Sequence, residues 1–421
     1  CEPSGIDFDP MIGMNVAYPE FNKGLDFTTS IYTYYPYYKD EGKTWKKKVP
    51  DRKGWEYNCK DMVSTPKVSH GVLKDLSGDS LEEVCQKRST AMLPIAIEMQ
   101  RNRLRLNRGW HQKLAGLLME EKFKVHSQLT ELLSKDINVK STIQVQKIIY
   151  DILQLPVKKK RATGNVTTAE NELKELRAAY PECDVLTLIL KERHLRTKES
   201  NYINVKFDND PDGSMYLGYM AVIGGTKTGR WGFSKSPKWR GSSAQTIPHV
   251  MRLMYEPPGG SVFWQRDLSQ AEVRIVAWLA DCKFLLEVFA NNKIKIHKLV
   301  GGKVFRKDPL EIEDDTLEYD TSKSIVHGYD YMMGYKRLAV EANVSNEFAK
   351  EVSQIYGALV PEIDNWHQSI RETVIKTGRL VTPMGRVRVA FKSCSVLTHT
   401  GQLPDEYWRD LVSYIPQSTG P

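Results

Sequence analysis

Residues Asp267–Arg274 read Asp-Leu-Ser-Gln-Ala-Glu-Val-Arg, and no other part of the chain is more informative. The apolar run Val262–Trp264 precedes this stretch and is typical of a buried strand. Apolar side chains after it recur at the spacing of one helix face, namely at Val273, Val276, Ala277 and Ala280. The pattern predicts that Asp267 stands where a strand ends and that Glu272 lies in the first turn of the next helix.

Asp267 has two interpretations from its position alone. A carboxylate fixed at a strand end suits Mg²⁺, which prefers hard oxygen ligands in rigid geometry. An aspartate before a helix is also a common N-cap, because its side chain accepts hydrogen bonds from the first backbone N–H groups of the helix. The stretch leaves both interpretations open, so the surrounding segments are needed to choose between them.

Further characteristic segments lie on both sides of this stretch: Thr228–Trp231, Gln245–Pro248, Ser322–Tyr331, Thr382–Arg388 and Tyr414–Thr419. Together with residues 267–274 they resemble, in order, the motifs of family A DNA polymerases, the group of bacterial DNA polymerase I. Residues 267–274 resemble motif A, and the wording Leu-Ser-Gln-Ala-Glu is most similar to that of bacteriophage members. Thr246 replaces the usual Asn of its segment. The resemblance covers about half of the chain.

This resemblance implies an α+β fold, the right-hand polymerase arrangement of thumb, palm and fingers, with the remnant of an RNase H-like 3′–5′ exonuclease domain. It implies template-directed transfer of a nucleotide from a dNTP to a primer 3′-hydroxyl by a two-metal mechanism with Mg²⁺. Primer–template DNA and dNTPs are then the expected partners. A processivity factor and a replication helicase are candidate additional partners.

The resemblance also divides the chain into segments. It assigns residues 1–80 to the C-terminal part of the exonuclease domain and residues 81–205 to the thumb. Residues 206–282 form the first part of the palm, residues 283–403 the fingers, and residues 404–421 a second, truncated part of the palm. The chain is therefore expected to be a fragment that lacks the first exonuclease motifs and the C-terminal palm motif.

The composition is consistent with this picture. The chain has 421 residues, a net charge of +8, a pI near 8.9 and a mean hydropathy of −0.46. A basic surplus suits a polyanionic partner. No apolar stretch is long enough to predict a membrane span, and the six cysteines show no paired spacing. We therefore expect a protein of a reducing cytoplasm, that of a bacterial host if a phage encodes it.

The catalytic assignments follow from the resemblance. Asp267 and the backbone carbonyl of Leu268 would hold metal. Lys323, His327 and Tyr331 are four residues apart, so a helix would present them as one stripe. In the family this stripe faces the incoming nucleotide: Lys323 would neutralise the triphosphate, His327 would stack on the sugar and base, and Tyr331 would close the pocket beside the templating base.

Two departures from the family concern the triphosphate. Tyr319 stands where the family usually has an Arg, and the basic residue that replaces the lost phosphate contact cannot be identified from the sequence. His297 corresponds to a family His that touches the triphosphate, but Lys295 replaces the usual Asp just before it. Glu272 resembles the residue that selects the deoxyribose sugar.

Minor-groove acceptors occur on every base pair, so donors placed there test pair geometry without reading sequence. The resemblance assigns this DNA contact to Arg230, Gln245, Arg409 and Gln417. Arg274 joins them as a residue that positions the backbone. Ser413 stands where the family has an Asn that makes one contact of this kind.

Two further segments have both a functional and an ordinary interpretation. Tyr57 and Asp61 resemble the third exonuclease motif, where the Asp would hold a metal and the Tyr would orient a water. They fit a solvated helix face equally well. The basic run Lys158–Arg161 would grip duplex phosphates if it lies at the thumb tip, but such a run is also common in solvated loops.

Two alternative functions stay open. A single-subunit RNA polymerase shares the palm and fingers, although Glu272 argues against it. A catalytically inactive DNA-binding homologue is favoured by Tyr319 and by the family's second carboxylate, which is expected only after Pro421.

Overall fold

The computed structural model describes residues 7–44, 52–79, 81–160, 163–236, 240–291, 293–314, 316–342 and 344–419. The helices are α1 (Pro10–Ala17), α2 (Leu25–Tyr32), α3 (Arg52–Gly78), α4 (Leu93–Asn102), α5 (Arg108–Leu133), α6 (Thr142–Gln146), α7 (Glu170–Ala179), α8 (Asp184–Lys198), α9 (Ala271–Leu279), α10 (Lys283–Asn291), α11 (Ile296–Phe305), α12 (Leu317–Asp330), α13 (Tyr335–Ala342), α14 (Asn346–Leu359), α15 (Pro361–Thr377), α16 (Phe391–Thr400) and α17 (Asp405–Thr419).

The strands are short: β1 (Leu104–Leu106), β2 (Asp208–Asn209), β3 (Met215–Leu217), β4 (Met220–Val222), β5 (Gly232–Ser234), β6 (Tyr255–Glu256), β7 (Arg379–Val381) and β8 (Val387–Val389). Turns of 3-10 helix cover Lys39–Thr44, Thr90–Met92, His249–Met254 and Pro309–Glu311, and π-helical turns cover Val84–Ser89, Lys147–Ile152 and Glu199–Ile203. In the described part of the chain, no helix has both the length and the apolar character that crossing a bilayer requires.

The chain forms two compact units. The first comprises Cys1–Asn102, Met220–Ser234 and Asn365–Pro421, and the second comprises Arg103–Tyr219 and Lys235–Asp364. Each unit is therefore assembled from segments that are distant in sequence.

In the first unit, α1 and α2 pack against the long helix α3. Asp9 caps α1 by accepting a hydrogen bond of 2.8 Å from the backbone N–H of Met11. The core contains Met14, Val68 and Leu76, all fully buried. The hairpins β4–β5 and β7–β8 belong to the same unit.

The second unit contains an antiparallel sheet with the strand order β2-β3-β1-β6. In strand β1, which lies between β3 and β6, Leu104 pairs with Leu217 of β3 and Leu106 pairs with Tyr255 of β6. Helix α4 ends at Asn102, just before β1. Arg103 has φ +49, which breaks the helix, and the next residues form ladder hydrogen bonds instead.

Helices α9, α11 and α12 also lie in the second unit, where α12 packs against both α11 and α9. The predicted apolar face of α9 is confirmed for Val273, Val276 and Ala277, which are buried, whereas Ala280 is half-buried at the C-cap of the helix. Helices α11 and α12 approach closely at Gly301, where an added Cβ would lie 2.8 Å from Ser322 Oγ. A residue without a side chain at position 301 therefore allows the two helices to bring their polar residues together.

The prediction that Val262–Trp264 is a buried strand is wrong. The segment is not part of a ladder, and the side chains of Val262 and Trp264 are 85% and 78% exposed. An apolar run becomes a strand only where a neighbour supplies hydrogen bonds and a packing surface. Among the described residues nothing supplies either, so Asp267 lies in an exposed extended segment before α9 rather than at a strand end.

Candidate functional site

The segment before α9 is tied to the beginning of α11. Gln270 adopts the left-handed conformation, with φ +56 and ψ 32. Its Oε1 accepts a hydrogen bond of 3.0 Å from the backbone N–H of Ile296, the first residue of α11. Asp267 is exposed three residues earlier and Leu268 is exposed beside it. This single hydrogen bond therefore connects the segment of the predicted metal ligand with the segment of His297, and the sequence pattern did not reveal it.

Four aromatic rings, from α11, from α12 and from the residue that directly follows α12, form a row, which we call the ring row: Tyr319, His297, His327 and Tyr331. The ring of His297 lies 5.7 Å from that of Tyr319 in an edge-to-face arrangement and 5.5 Å from that of His327. The rings of His327 and Tyr331 are 6.2 Å apart. The structure thus brings together three of the predicted nucleotide-binding residues and adds Tyr319, which the sequence marked only as a departure from the family.

Both histidines of the ring row have strongly lowered basicity. Burial, with the positive fields of His327 and Lys323 added, lowers the pKa of His297 to about 3. Burial and the charge of Lys323 lower the pKa of His327 to about 4. Each imidazole is therefore neutral at neutral pH and carries one N–H donor and one acceptor.

Two polar atoms of the ring row are buried without a hydrogen-bond partner among the described residues, namely His297 Nδ1 and Tyr331 Oη. Such groups are uncommon in proteins because losing water without a replacement partner is costly. His297 is only 3% exposed, so its burial is almost complete. A bound ligand with polar atoms would satisfy these groups.

Lysines surround the ring row. Lys323 is exposed on α12, one turn before His327. Lys295 precedes the first residue of α11; its Nζ lies 2.6 Å from Asp314 Oδ2 and 5.6 Å from the ring centre of Tyr319. Lys298 Nζ lies 3.6 Å from the other oxygen of Asp314. Three ammonium groups around the start of α11, where backbone N–H groups carry partial positive charge, favour an anionic ligand.

Glu272 and Arg274 lie on α9, as predicted. Glu272 is partly buried in the first turn, and burial raises the pKa of its carboxyl group. Arg274 donates a hydrogen bond of 3.1 Å from Nε to the backbone oxygen of Ser269, and its guanidinium lies 4.4 Å from the ring centre of Phe289. These contacts hold the beginning of α9 in place, which fits a positioning role for Arg274.

The predicted DNA-contacting residues lie in both units. Arg230 is partly buried after the turn that leads from β4, and burial lowers the pKa of its guanidinium. Arg409 and Gln417 are partly buried on α17, and Arg409 lines a cavity of about 880 Å³ within the first unit. Gln245 belongs to the second unit and is exposed.

Tyr57 and Asp61 share one face of α3, as their spacing predicted, and both contact a lysine. Lys39 Nζ lies 2.6 Å from Asp61 Oδ1 and 3.0 Å from Tyr57 Oη. Tyr38 donates a hydrogen bond of 2.7 Å to the same carboxylate oxygen. The charge of Asp61 is therefore balanced by an ammonium group, and the metal-holding role assigned to it stays a prediction.

The basic run of the predicted thumb is described only up to Lys160, and Arg161 lies outside the described residues. Lys158 Nζ forms an ion pair of 2.8 Å with Glu175. Lys160 lines a cavity of about 500 Å³ together with Arg193, which donates to the backbone oxygens of Val139 and Thr168. Arg193 is distant in sequence from the basic run, so no local sequence pattern marks it as a neighbour of Lys160.

No group of three or more His, Cys, Asp or Glu side chains that could hold a metal ion occurs among the described residues. Asp267 provides one carboxylate in an exposed segment, which is one ligand rather than a site.

Comparisons with known proteins identify relatives of this chain. The family model described as DNA polymerase family A matches residues 110–400. The chain is similar to DNA polymerase I of Caldicellulosiruptor bescii, with 26% identity over 305 residues that cover 70% of this chain and 34% of the relative. It is also similar to the thermostable DNA polymerase I of Thermus thermophilus, with 24% identity over 84% of this chain and 42% of that protein. The chain thus spans about a third to two fifths of the length of these relatives.

A solved structure has the same fold. It is described as the POL domain of Pol1 from M. smegmatis in complex with DNA primer-template and dNTP. The TM-score is 0.73 at 18% identity, and the similarity covers 98% of this chain and 68% of that one. The helix-rich mixed fold predicted from the sequence is therefore confirmed at the level of a polymerase domain.

Proposed function

Because the chain belongs to DNA polymerase family A, whose model matches residues 110–400, we propose that it acts in template-directed DNA synthesis, in which a dNTP is joined to a primer 3′-hydroxyl. The observation that carries this proposal is the ring row with its lysines. Neutral buried imidazoles, two unpaired polar atoms and exposed ammonium groups stand next to the start of α11. A base and sugar can stack on such rings, while a triphosphate matches the positive charge.

The roles of individual residues follow from their positions. Lys323 is exposed and can approach a triphosphate. Its ammonium group would stabilise the negative charge that develops on the leaving pyrophosphate. His297 would offer one ring nitrogen to a phosphate oxygen. His327 and Tyr331 would form the face against which the nucleotide base and sugar rest. Gln270 accepts a hydrogen bond from the backbone N–H of Ile296, and this bond keeps the segment that contains Asp267 beside these residues.

We assign Asp267, with the Leu268 carbonyl, to the Mg²⁺ site of the active enzyme on the strength of the motif resemblance. When bound, the metal would neutralise charge on the reacting phosphate. Since the described residues provide one carboxylate in that segment and no metal-holding cluster, we further propose that residues 1–421 alone bind DNA without extending a primer.

Several finer expectations belong to the same proposal. Arg230, Gln245, Arg409 and Gln417 would contact the minor groove of primer–template DNA. The wording of motif A supports a bacteriophage-type branch and hence the cytoplasm of a bacterial host. The resemblance alone supports two further parts of this proposal. One is the division into exonuclease remnant, thumb, palm and fingers, and the other is a processivity factor or helicase as partner. A role in exonuclease chemistry for Tyr57 and Asp61 would require Lys39 to leave the carboxylate.

A binding experiment tests the proposal with the chain itself. A fluorescent primer–template with a 3′-dideoxy end is titrated with residues 1–421, alone and with each dNTP. We expect DNA binding that weakens steeply with salt, because released counterions drive it. We also expect the dNTP complementary to the template base to tighten the complex more than the other three.

The alternatives give different results in the same experiment. A preference for the complementary rNTP would favour a single-subunit RNA polymerase. DNA binding without any response to nucleotides would favour the inactive DNA-binding homologue. Absence of DNA binding at low salt would contradict the proposed function.

A further inference from the structure

Tyr319 and Lys295 come from different helices and meet at the edge of the ring row. Lys295 Nζ lies 5.6 Å from the ring centre of Tyr319. Tyr319 is one turn before Lys323 on α12, and its hydroxyphenyl group brings no positive charge to a bound anion. The ammonium group of Lys295 supplies a positive charge at this place from the neighbouring helix.

We propose that Lys295 is a ligand for the polyphosphate of the nucleotide, and that Asp314 holds it in place until the polyphosphate displaces the carboxylate. This inference rests on the proposed function and names a further residue of the same site. The chemistry it requires is that of a linear polyphosphate, either the triphosphate of a nucleotide or free pyrophosphate.

The surroundings of Lys295 fit a phosphate group. Lys295 occupies the N-cap position of α11, a helix of ten residues, and its own side chain accepts no capping hydrogen bond. Gln270 Oε1 accepts from the backbone N–H of Ile296, and the first turn contains no acidic residue. The start of this helix therefore presents partial positive charge that no carboxylate of its own first turn neutralises. Next to it, His297 Nδ1 is buried and has no hydrogen-bond partner among the described residues. An anion at this position would accept from the lysine and give the imidazole nitrogen a polar neighbour.

The ion pair of Asp314 with Lys295 is weak enough for a bound anion to displace the carboxylate. Its two oxygens lie 2.6 Å from Lys295 Nζ and 3.6 Å from Lys298 Nζ. The side chains of Lys295 and Asp314 are 43% and 48% exposed, so water and salt screen their attraction. A polyphosphate carries several negative charges and can contact both lysines, so it competes successfully with one carboxylate. The hydrogen bond to Asp314 raises the pKa of Lys295, so the lysine stays charged at neutral pH.

Isothermal titration of residues 1–421 in metal-free buffer tests the exchange. The probes are sodium tripolyphosphate, sodium pyrophosphate, dATP and dAMP. We expect Lys295→Ala to weaken tripolyphosphate and dATP at least fivefold, and to change dAMP by less than twofold. Lys295→Arg should restore most of the affinity because it keeps the charge. Asp314→Asn should tighten tripolyphosphate, because the competing carboxylate is gone.

The matched control is Lys303→Ala, an exposed lysine in the last turn of the same helix. It lies eight residues further along and so roughly 12 Å away along the axis. It should leave every affinity within twofold of the wild type. Circular dichroism and melting temperature show whether each variant folds. Lys295→Gln, which also removes the charge, takes the place of Lys295→Ala if the latter does not fold.

Equal affinity of the wild type and Lys295→Ala for tripolyphosphate would overturn the proposal, as would a loss that Lys303→Ala reproduces. Asp314→Asn without a gain would overturn the exchange with the carboxylate. In these cases a dNTP response in the primer–template experiment would leave the proposed function intact. Failure of the wild type to bind tripolyphosphate or dATP would overturn the assignment of Lys295. A larger effect on pyrophosphate than on dATP would identify the product rather than the nucleotide as the ligand.

Discussion

The imidazole rings of His297 and His327 lie 5.5 Å apart, although the residues belong to different helices and stand thirty positions apart in the sequence. Both are kept neutral by burial. Neutral imidazoles can stack against a base and still donate or accept one hydrogen bond each. A charged pair at this distance would repel, so the acid–base state of the two rings is part of the structure of the site.

Acid should destabilise the second unit through His297. Its pKa of about 3 in the folded protein lies below the roughly 6.5 of an unfolded histidine. The unfolded state therefore binds more protons below pH 6.5, and stability is lost as the pH falls from there toward 3. Between pH 7.5 and 5.5, His297→Gln should lose about 1.4 kcal/mol less free energy of unfolding than the wild type, from one pH unit of differential protonation.

Urea unfolding at the two pH values measures this difference. His70→Gln, an exposed histidine on α3, is the control and should follow the wild type. An identical acid response of His297→Gln and wild type would show that His297 is not held neutral by the fold.

A rise in pH should lower the stability of the second unit through Asp330. This residue lies on α12 between His327 and Tyr331 and is 1% exposed. Burial raises the pKa of its carboxyl to about 8, although Tyr356 donates a hydrogen bond of 3.1 Å to Oδ1. The folded state thus binds a proton that the unfolded state releases near pH 4. The resulting stability is present below pH 4 and is lost as the pH rises toward 8.

Asp330→Asn keeps the shape and the acceptor for Tyr356 but cannot ionise. Between pH 6 and 8 it should lose roughly 2–3 kcal/mol less stability than the wild type, from about 1.4 kcal/mol per pH unit. Thermal or urea unfolding across this range is the measurement. Asp364→Asn, an exposed aspartate whose oxygens lie 3.0 Å from Tyr329 Oη, should keep the wild-type pH dependence. A flat wild-type profile would contradict the assignment.

Arg388 should be essential for the first unit. Its guanidinium, almost fully buried, lies 2.6 Å from Glu20 Oε1 and 2.5 Å from Asp410 Oδ2. Arg388→Met takes the cation from Glu20 and from Asp410, of which Asp410 keeps its ion pair with Lys227, and the loss should cost about 3–5 kcal/mol. Arg379→Met removes an exposed ion pair with Asp79 and should cost about 0–1 kcal/mol. Similar losses in both variants, measured by urea unfolding, would contradict the importance of burial.

The sequence predicted the elements whose signal is local. The apolar spacing of Val273, Val276 and Ala277 specifies the buried face of α9, and the four-residue spacing of Lys323 and His327 specifies their stripe on α12. Motif wording also led to the correct family, because it reflects many residues at once.

Features that depend on distant contacts could not be predicted. The exposure of Val262–Trp264 follows from the lack of a pairing neighbour among the described residues, which no local pattern reports. The contact of Lys39 with Asp61 joins residues 22 positions apart. The contact of Lys295 with Asp314 depends on the way α11 lies against α12. Such pairs carry no periodicity, so a sequence alone does not single them out.

Asp267 can be tested in a form of the protein that extends primers. Asp267→Ala should abolish extension and leave DNA affinity within a few-fold, because a metal-bound carboxylate serves the transition state rather than the grip on DNA. Primer extension and DNA titration measure the two effects. Glu287→Ala removes an exposed carboxylate from α10 and should change neither. If Asp267→Ala kept more than about a tenth of the turnover, a loss of only about 1.4 kcal/mol, Asp267 would not be a metal ligand.

Glu272 has two roles that mutation separates. As a first-turn residue stabilised by the helix dipole, it would contribute about 0.3–1 kcal/mol of stability and no sugar preference. As a sugar-selecting residue (a gate), its partly buried side chain would clash with the 2′-hydroxyl of a ribonucleotide. The clash would exclude ribonucleotides and so favour deoxyribonucleotides. We expect Glu272→Ala to raise the ratio of ribonucleotide to deoxyribonucleotide insertion at least tenfold, or about 1.4 kcal/mol. Glu272→Gln should keep most of the discrimination, because the shape remains while the charge is lost.

Single-nucleotide insertion kinetics with both sugars, in a form of the protein that extends primers, give the ratio. An unchanged ratio in Glu272→Ala would reject the gate and reopen the RNA polymerase alternative, whereas equal loss of discrimination in both variants would assign it to the charge and not to the clash.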